Sequence, residues 1–153
     1  MRDFSGIKLF DIAANLSDER YKGEYYGGKL HEPDFDLVIQ RANQYGVRKF
    51  LFGVGYFQDQ VDSYELSLKS DDFYCMFGVH PCRAREPFID YEKFKEKHKQ
   101  EEDLTTDEVV SRYLKKMDDY YAQCSKKEKY IAIGECGLDY DRFEYADKET
   151  QLR

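Results

Sequence analysis

The chain has 153 residues, with 24 Lys+Arg against 31 Asp+Glu, for a formal net charge of −7. That length can bury one good core, and an aromatic content of 16% is too high for a disordered chain. The acidic balance argues against a basic nucleic-acid-wrapping module, and no run approaches the roughly 18 apolar residues of a membrane helix.

The opening segment, Met1 to Arg20, sets charges on both sides of a very short apolar patch, which is not a secretory pattern. The expectation is one domain over 1–153 of an intracellular protein, cytoplasmic or nuclear, with no membrane partner. Cys75, Cys82, Cys124 and Cys136 form no CxxC pair. They read as reduced, mostly structural thiols rather than a disulfide framework or a four-cysteine zinc site.

In chain order, the first apolar run is Ile7 to Ile12, of strand length. Pro33 to Tyr45 then places Leu37, Val38, Arg41, Ala42 and Tyr45 at helical spacing, with Gly46 just past the end. Val47 to Val54 is a second strand, and Gln58 to Lys69 a weaker helix with Val61, Tyr64, Glu65 and Leu68 on one stripe. Phe73 to Val79 is a third strand. Thr105-Thr106-Asp107-Glu108 reads as a capping box, after which Val110, Tyr113, Leu114, Met117, Tyr121 and Cys124 repeat at helical spacing. Tyr130 to Gly134 is a fourth strand, and Lys148 to Arg153 begins another helix.

The strands are near-continuously apolar, as expected for parallel strands covered on both faces. The alternation of strand and helix predicts right-handed crossovers. It leaves open whether four βα units make an open doubly wound sheet or half of an eight-unit barrel. The longest connection, 81–129, resembles a helical insertion and holds 12 basic and 12 acidic residues. Its run Lys93, Lys95, Lys97, Lys99 beside Glu101-Glu102-Asp103 reads as a solvated helix and loop rather than a phosphate patch.

Chemistry in parallel α/β folds gathers at the C-terminal ends of the strands. There the sequence reads Asp11-Ile12-Ala13-Ala14-Asn15-Leu16, Gly53-Val54-Gly55, Gly78-Val79-His80-Pro81 and Gly134-Glu135-Cys136-Gly137-Leu138-Asp139-Tyr140. Glu135 follows a buried strand between small residues, where a carboxylate needs a metal, an Arg or backbone N–H groups to offset desolvation. His80 is aimed by the extended geometry that Pro81 imposes, and is open to ligand, substrate or supporting roles. Asp11 and Asn15 offer hard oxygens suited to Mg²⁺ or a phosphate network, although Asn15 and Ser17 equally suit capping of the next turn. His31 and His98 lie in polar surroundings and read as surface residues. Tyr25-Tyr26 beside Gly27-Gly28 suits either a stacking platform in a flexible loop or packing in the core or at its rim. Gly53 and Gly55 lack the third glycine of a dinucleotide fingerprint.

The motifs at Asp11–Leu16, Gly78–Pro81 and Gly134–Tyr140, in that order, resemble those of TatD-related deoxyribonucleases, closest to the eukaryotic-type branch. The resemblance runs from Leu9 to Arg153, and the tail Lys148 to Arg153 is similar to the family's next helix opening. It implies a TIM (β/α)8 barrel of which this chain supplies about the first four βα units. It further implies metal-dependent hydrolysis of DNA with one or two divalent cations, Mg²⁺ first and Zn²⁺ or Mn²⁺ as alternatives. The metal-bridging glutamate of the family matches Glu135. Asp11, Asn15, His80 and Asp139 would then be substrate-side or supporting groups. Ala13 and Asn15 stand where many members carry a His-X-His pair. The family's remaining ligands, two histidines and an aspartate, come from strands after the fourth, beyond Arg153.

A TIM barrel typically needs about 250 residues. The chain therefore reads as a fragment of a longer protein, ahead of a shortened product that pairs with a partner half. A missing C-terminal half or self-association would close the barrel. The alternatives to a nuclease are a non-catalytic half barrel that binds or dimerises, and a hydrolase of another substrate in the same superfamily.

Overall fold

A computed structural model of the chain describes residues 6–99 and 103–153. Strand β1 (Leu9–Ala14) leads through a short 3₁₀ turn at Glu19–Lys22 to a small hairpin of β2 (Glu24–Tyr25) and β3 (Gly28–Lys29). Then follow α1 (Phe35–Gln44), β4 (Val47–Phe52), α2 (Phe57–Ser67) and β5 (Phe73–Phe77). The long connection holds α3 (Glu86–His98) and α4 (Thr106–Gln123), after which come β6 (Tyr130–Ile133) and α5 (Lys148–Gln151). The four long strands form one parallel sheet in the order β1-β4-β5-β6. Successive strands add on the same side without reversal, which is barrel progression and not the reversing order of a doubly wound sheet.

The core lies where Phe50, Phe52, Phe73 and Cys75 of β4 and β5 meet Tyr64 of α2, Leu16 and Cys124. The Phe73 ring meets Phe35 and Phe50 edge-on, while Tyr64 stacks on Tyr130 with ring centroids 5.4 Å apart. These offset and edge geometries are the favoured aromatic arrangements. Lys129 is buried, and its ammonium donates to the carbonyls of Ser70 (2.6 Å) and Phe73 (3.1 Å), tying the start of β6 to β5.

The expectation of strands covered on both faces holds for the middle of the sheet and fails at its edges. Phe50, Leu51 and Phe52 of β4 are all buried, whereas Ile12 on β1 is 67% exposed and Ile133 on β6 is 79% exposed. The reason is topological: among the described residues β1 pairs only with β4, and β6 only with β5. Tyr25-Tyr26 also differ from expectation, lying in a hairpin and not in a flexible loop or the core. Tyr26 (φ 49°) and Gly27 (φ 75°) both take positive φ in its two-residue turn, the geometry that matches strand twist.

The helices follow their local signals. Thr105 Oγ1 accepts from the Glu108 N–H, and Glu108 Oε2 accepts in return from the Thr105 N–H at 2.8 Å, completing the capping box of α4. Gly46 takes φ 92° directly after α1. The lysine run lies on α3 and its end, where Lys95 pairs with Glu92 and Asp103. Glu101 and Glu102 lie outside the described residues, as do Met1 to Ser5. Among the described residues no helix is long and apolar enough to cross a membrane.

Candidate metal centre at the strand ends

The tips of the four strands are joined by backbone hydrogen bonds that continue past the regular ladder. Gly53 N–H donates to Ala14 O (3.1 Å), His80 N–H to Gly55 O (2.9 Å), Gly134 N–H to Phe77 O (2.9 Å) and Glu135 N–H to Val54 O (3.2 Å). The last of these carries the β6 tip across the end of β5 to reach the segment after β4. Gly78 makes the crossing possible. A β-carbon there would lie 2.6 Å from Glu135 O and 2.7 Å from both C and O of Gly134, a clash with backbone that nothing flexible relieves.

Gly53 leaves a second gap. A β-carbon at this position would lie 2.9 Å from Asn15 Oδ1, 3.0 Å from Glu135 Oε1 and 3.6 Å from the Ala13 carbonyl oxygen. Three oxygens from the ends of β1 and β6 thus converge past β4 because the residue that follows β4 has no side chain. Ala13 contributes through a bulge: the β1–β4 register shifts between Ile12 and Ala14, and Ala13 sits at φ 60°. For a non-glycine residue that conformation costs roughly 1–2 kcal/mol.

The other carboxylate oxygen of Glu135, Oε2, lies 3.2 Å from His80 Nε2. The tautomer of His80 follows from its second contact. Nδ1 accepts the Cys82 backbone N–H at 3.0 Å, so the ring proton resides on Nε2 and is donated to Glu135. Asp139 reaches the group indirectly. Its Oδ2 accepts from the Cys82 thiol at 3.4 Å, and its Oδ1 accepts from the Asp141 N–H at 3.0 Å. The Asp141 N–H holds the Asp139 carboxyl below its usual range, with the Cys82 thiol, Arg142 and His80 adding to the effect. Burial, and then the hydrogen bond to Asp139, push the Cys82 thiol up.

Asn15, His80 and Glu135 are therefore brought together, Asp139 is joined to them through Cys82, and Asp11 is not. Asp11 lies exposed on β1, paired through its backbone with β4, and its side chain makes no hydrogen bond or ion pair to any described residue. The capping alternative for Asn15 is overturned: Asp18 caps the 3₁₀ turn by accepting from Arg20 N–H at 2.9 Å, while Asn15 supplies only its backbone carbonyl there. His31 and His98 are exposed, as expected.

Sequence reading missed three residues. In the sequence Gly53 shows only as part of a weak dinucleotide signal. Cys82 reads there as one of the structural thiols, although it lies two residues from His80. Gln151 of α5 accepts from Asp139 N–H (2.7 Å) and donates to Asp139 O (2.9 Å), fixing the loop that carries Asp139.

Open depressions flank the cluster. One, of about 620 Å³, is lined by His80, Glu135 and Asp139. The other, of about 520 Å³, extends from Asn15 and Gly53 to Tyr56, Arg83, Tyr25 and Tyr26. In the latter the Arg83 guanidinium lies 4.7 Å from the Tyr56 ring centroid, and Tyr26 is 91% exposed.

Comparison with known proteins decides the affiliation. The family model described as TatD related DNase matches residues 10–153. The chain belongs to the TatD-related DNase family. It is 30% identical over 145 residues to "Deoxyribonuclease Tat-D" of Schizosaccharomyces pombe, covering 95% of this chain and 41% of that protein. Among solved structures, an amidohydrolase from Saccharomyces cerevisiae superposes with a TM-score of 0.74 at 30% identity, over 95% of this chain and 41% of the other. A TatD family hydrolase from Entamoeba histolytica gives a TM-score of 0.71 at 33% identity, over 95% and 42%. The chain thus spans about two fifths of the length of the TatD relatives it matches, and its fold is about the first four βα units of their TIM barrel.

Proposed function

We propose that this chain carries the Glu135 side of a metal-dependent deoxyribonuclease site that hydrolyses phosphodiester bonds by activated water. The observation that carries the reading is the gap over Gly53, where Asn15 Oδ1, Glu135 Oε1 and Ala13 O converge. An all-oxygen donor set with one carboxylate fits a hard divalent cation such as Mg²⁺ or Mn²⁺. Glu135 and Asn15 would hold the cation. When bound, such an ion polarises phosphoryl oxygens and brings the pKa of water toward neutrality.

The chain's own residues supply orientation. His80 donates its Nε2 proton to Glu135 Oε2, which leaves Oε1 directed at the gap and fixes the carboxylate. Arg83, half-exposed beside Tyr56 and paired at 3.4 Å with Glu86, offers its remaining guanidinium N–H groups to a substrate phosphate. Tyr26 presents an aromatic face at the rim on which an unpaired base can stack. The net charge of −7 makes non-specific DNA affinity modest and salt-sensitive.

The test is cleavage of DNA with and without Mg²⁺ by the protein carrying this chain. Cleavage should vanish with chelator and fall about 10²–10³-fold in Glu135→Gln, the scale for losing a main electrostatic contributor. Equal cleavage by both proteins would remove Glu135 from the reaction.

A second reading rests on the exposed edge strands: Ile12, Ile131 and Ile133 suit self-association of a half barrel. Size in solution decides it, since a monomer at micromolar concentration contradicts it.

A further inference from the structure

Cys82 has a place in the fold that neither nuclease chemistry nor core packing uses. It sits in the 3₁₀ turn Pro81–Arg83 that leaves β5, is half-buried, and faces Asp139 from the loop after β6. One ligand atom each from His80, Cys82 and Asp139 lies within 4.8 Å of the others, a group drawn from two separate segments.

Two of the members, His80 and Asp139, are already oriented toward the third. His80 donates a hydrogen bond from Nε2–H to Glu135, and Nδ1, which accepts the Cys82 N–H, carries the lone pair on the Cys82 side. A carboxylate on the far nitrogen is the usual support of a metal-bound imidazole, because it fixes the tautomer and raises basicity. Asp139 is clamped through its backbone by Gln151 and through Oδ1 by the Asp141 N–H, which leaves Oδ2 toward the sulfur. Arg142 Nε stands 3.9 Å from that oxygen, but its side chain is well exposed and free to swing into solvent.

We propose that His80, Cys82 and Asp139 form a site for a thiophilic divalent cation, Zn²⁺ or Cd²⁺, separate in its ligands from the oxygen gap over Gly53. One sulfur, one imidazole nitrogen and one carboxylate are the mixed donor set that tetrahedral zinc accepts, and the depression lined by His80 and Asp139 leaves room for a fourth ligand from solvent. On binding, the Cys82 thiol loses its proton to solvent and the sulfur bonds the cation. His80 Nδ1 exchanges the Cys82 amide for the metal and keeps Nε2–H on Glu135. A hard oxygen-seeking ion gains nothing from the sulfur, so the two sites sort cations by softness.

The experiment is titration of the reduced protein with Cd²⁺, read as the ultraviolet charge-transfer absorption of a cadmium–thiolate bond. The wild type should saturate at one equivalent, Cys82→Ser should lose the band with unchanged far-ultraviolet circular dichroism, and Cys136→Ser should keep it. Asp139→Asn should weaken binding by about 10-fold or more, and it decides the matter if Cys82→Ser does not fold. Excess Mg²⁺ should not displace Cd²⁺, and Glu135→Gln, which keeps an acceptor for His80, should retain the band. A band that survives in Cys82→Ser, that needs Cys136, or that Mg²⁺ removes would overturn the site.

Discussion

The same four strands are built on different terms in their bodies and at their tips. In the bodies, Phe52 and Cys75 are fully buried and aromatic rings fill the space between sheet and helices. At the tips the side chains thin out to Gly53 and Gly78, and what fills the space there is backbone and polar oxygen. Packing fixes the bodies and would tolerate an apolar substitute of similar size. The tips depend on absent side chains, so even one added methyl displaces the groups that meet there. Stability and the candidate chemistry are thereby assigned to different segments of each strand.

That separation can be broken experimentally. Phe52→Ala should cost about 3–5 kcal/mol in urea unfolding, the scale for emptying a buried aromatic site, and should weaken metal binding only through unfolding. Gly78→Ala acts at the tip: the clash with Gly134 and Glu135 should cost about 1–3 kcal/mol. Its Mn²⁺ affinity, measured on the folded fraction, should fall more steeply than its stability. Matching losses in both would show that tip and body are one unit.

The helical layer can be tested through pH. Asp90 on α3 meets Arg112 (2.9 Å) and Lys116 of α4. Burial pushes its carboxyl up, but the hydrogen bonds from Lys116 and Arg112 outweigh this and hold it below its usual range. A depressed carboxyl stabilises the fold above its unfolded pKa of about 3.9, and the benefit is lost as pH falls through the lower folded value. Asp90→Asn should therefore lose about 1–2 kcal/mol at pH 7 and progressively less on acidification, followed by denaturant midpoints. The smallest effect on folding is expected at the rim. Tyr26→Ala should change stability by under about 0.5 kcal/mol yet weaken single-stranded DNA binding by about 1–3 kcal/mol, measured by fluorescence anisotropy.

The sequence was most legible where periodic apolar residues met clear stops, as at α1 with Gly46 and α4 with Thr105 and Glu108. The four strands were found within a few residues for the same reason. Their exposure at the edges was not visible, because apolar runs report propensity and not which neighbours are present. The β2–β3 hairpin escaped because its strands are two residues each and its turn is Tyr-Gly rather than a common turn pair. In the site, Glu135 stood out as a carboxylate between glycine and cysteine after a strand. Asn15 remained open until Asp18 was seen to do the capping. Cys82 and Gln151 were illegible because their partner, Asp139, lies 57 and 12 residues away along the chain.

The proposed hold of Glu135 and Asn15 on a hard cation over Gly53 is tested most directly by Mn²⁺ binding, read from the loss of the free-ion electron paramagnetic resonance signal on titration with protein. The wild type should bind Mn²⁺, Glu135→Gln should lose affinity by about 10–100-fold or more, and Cys82→Ser should bind as the wild type does. Equal binding by the wild type and Glu135→Gln would contradict the assignment.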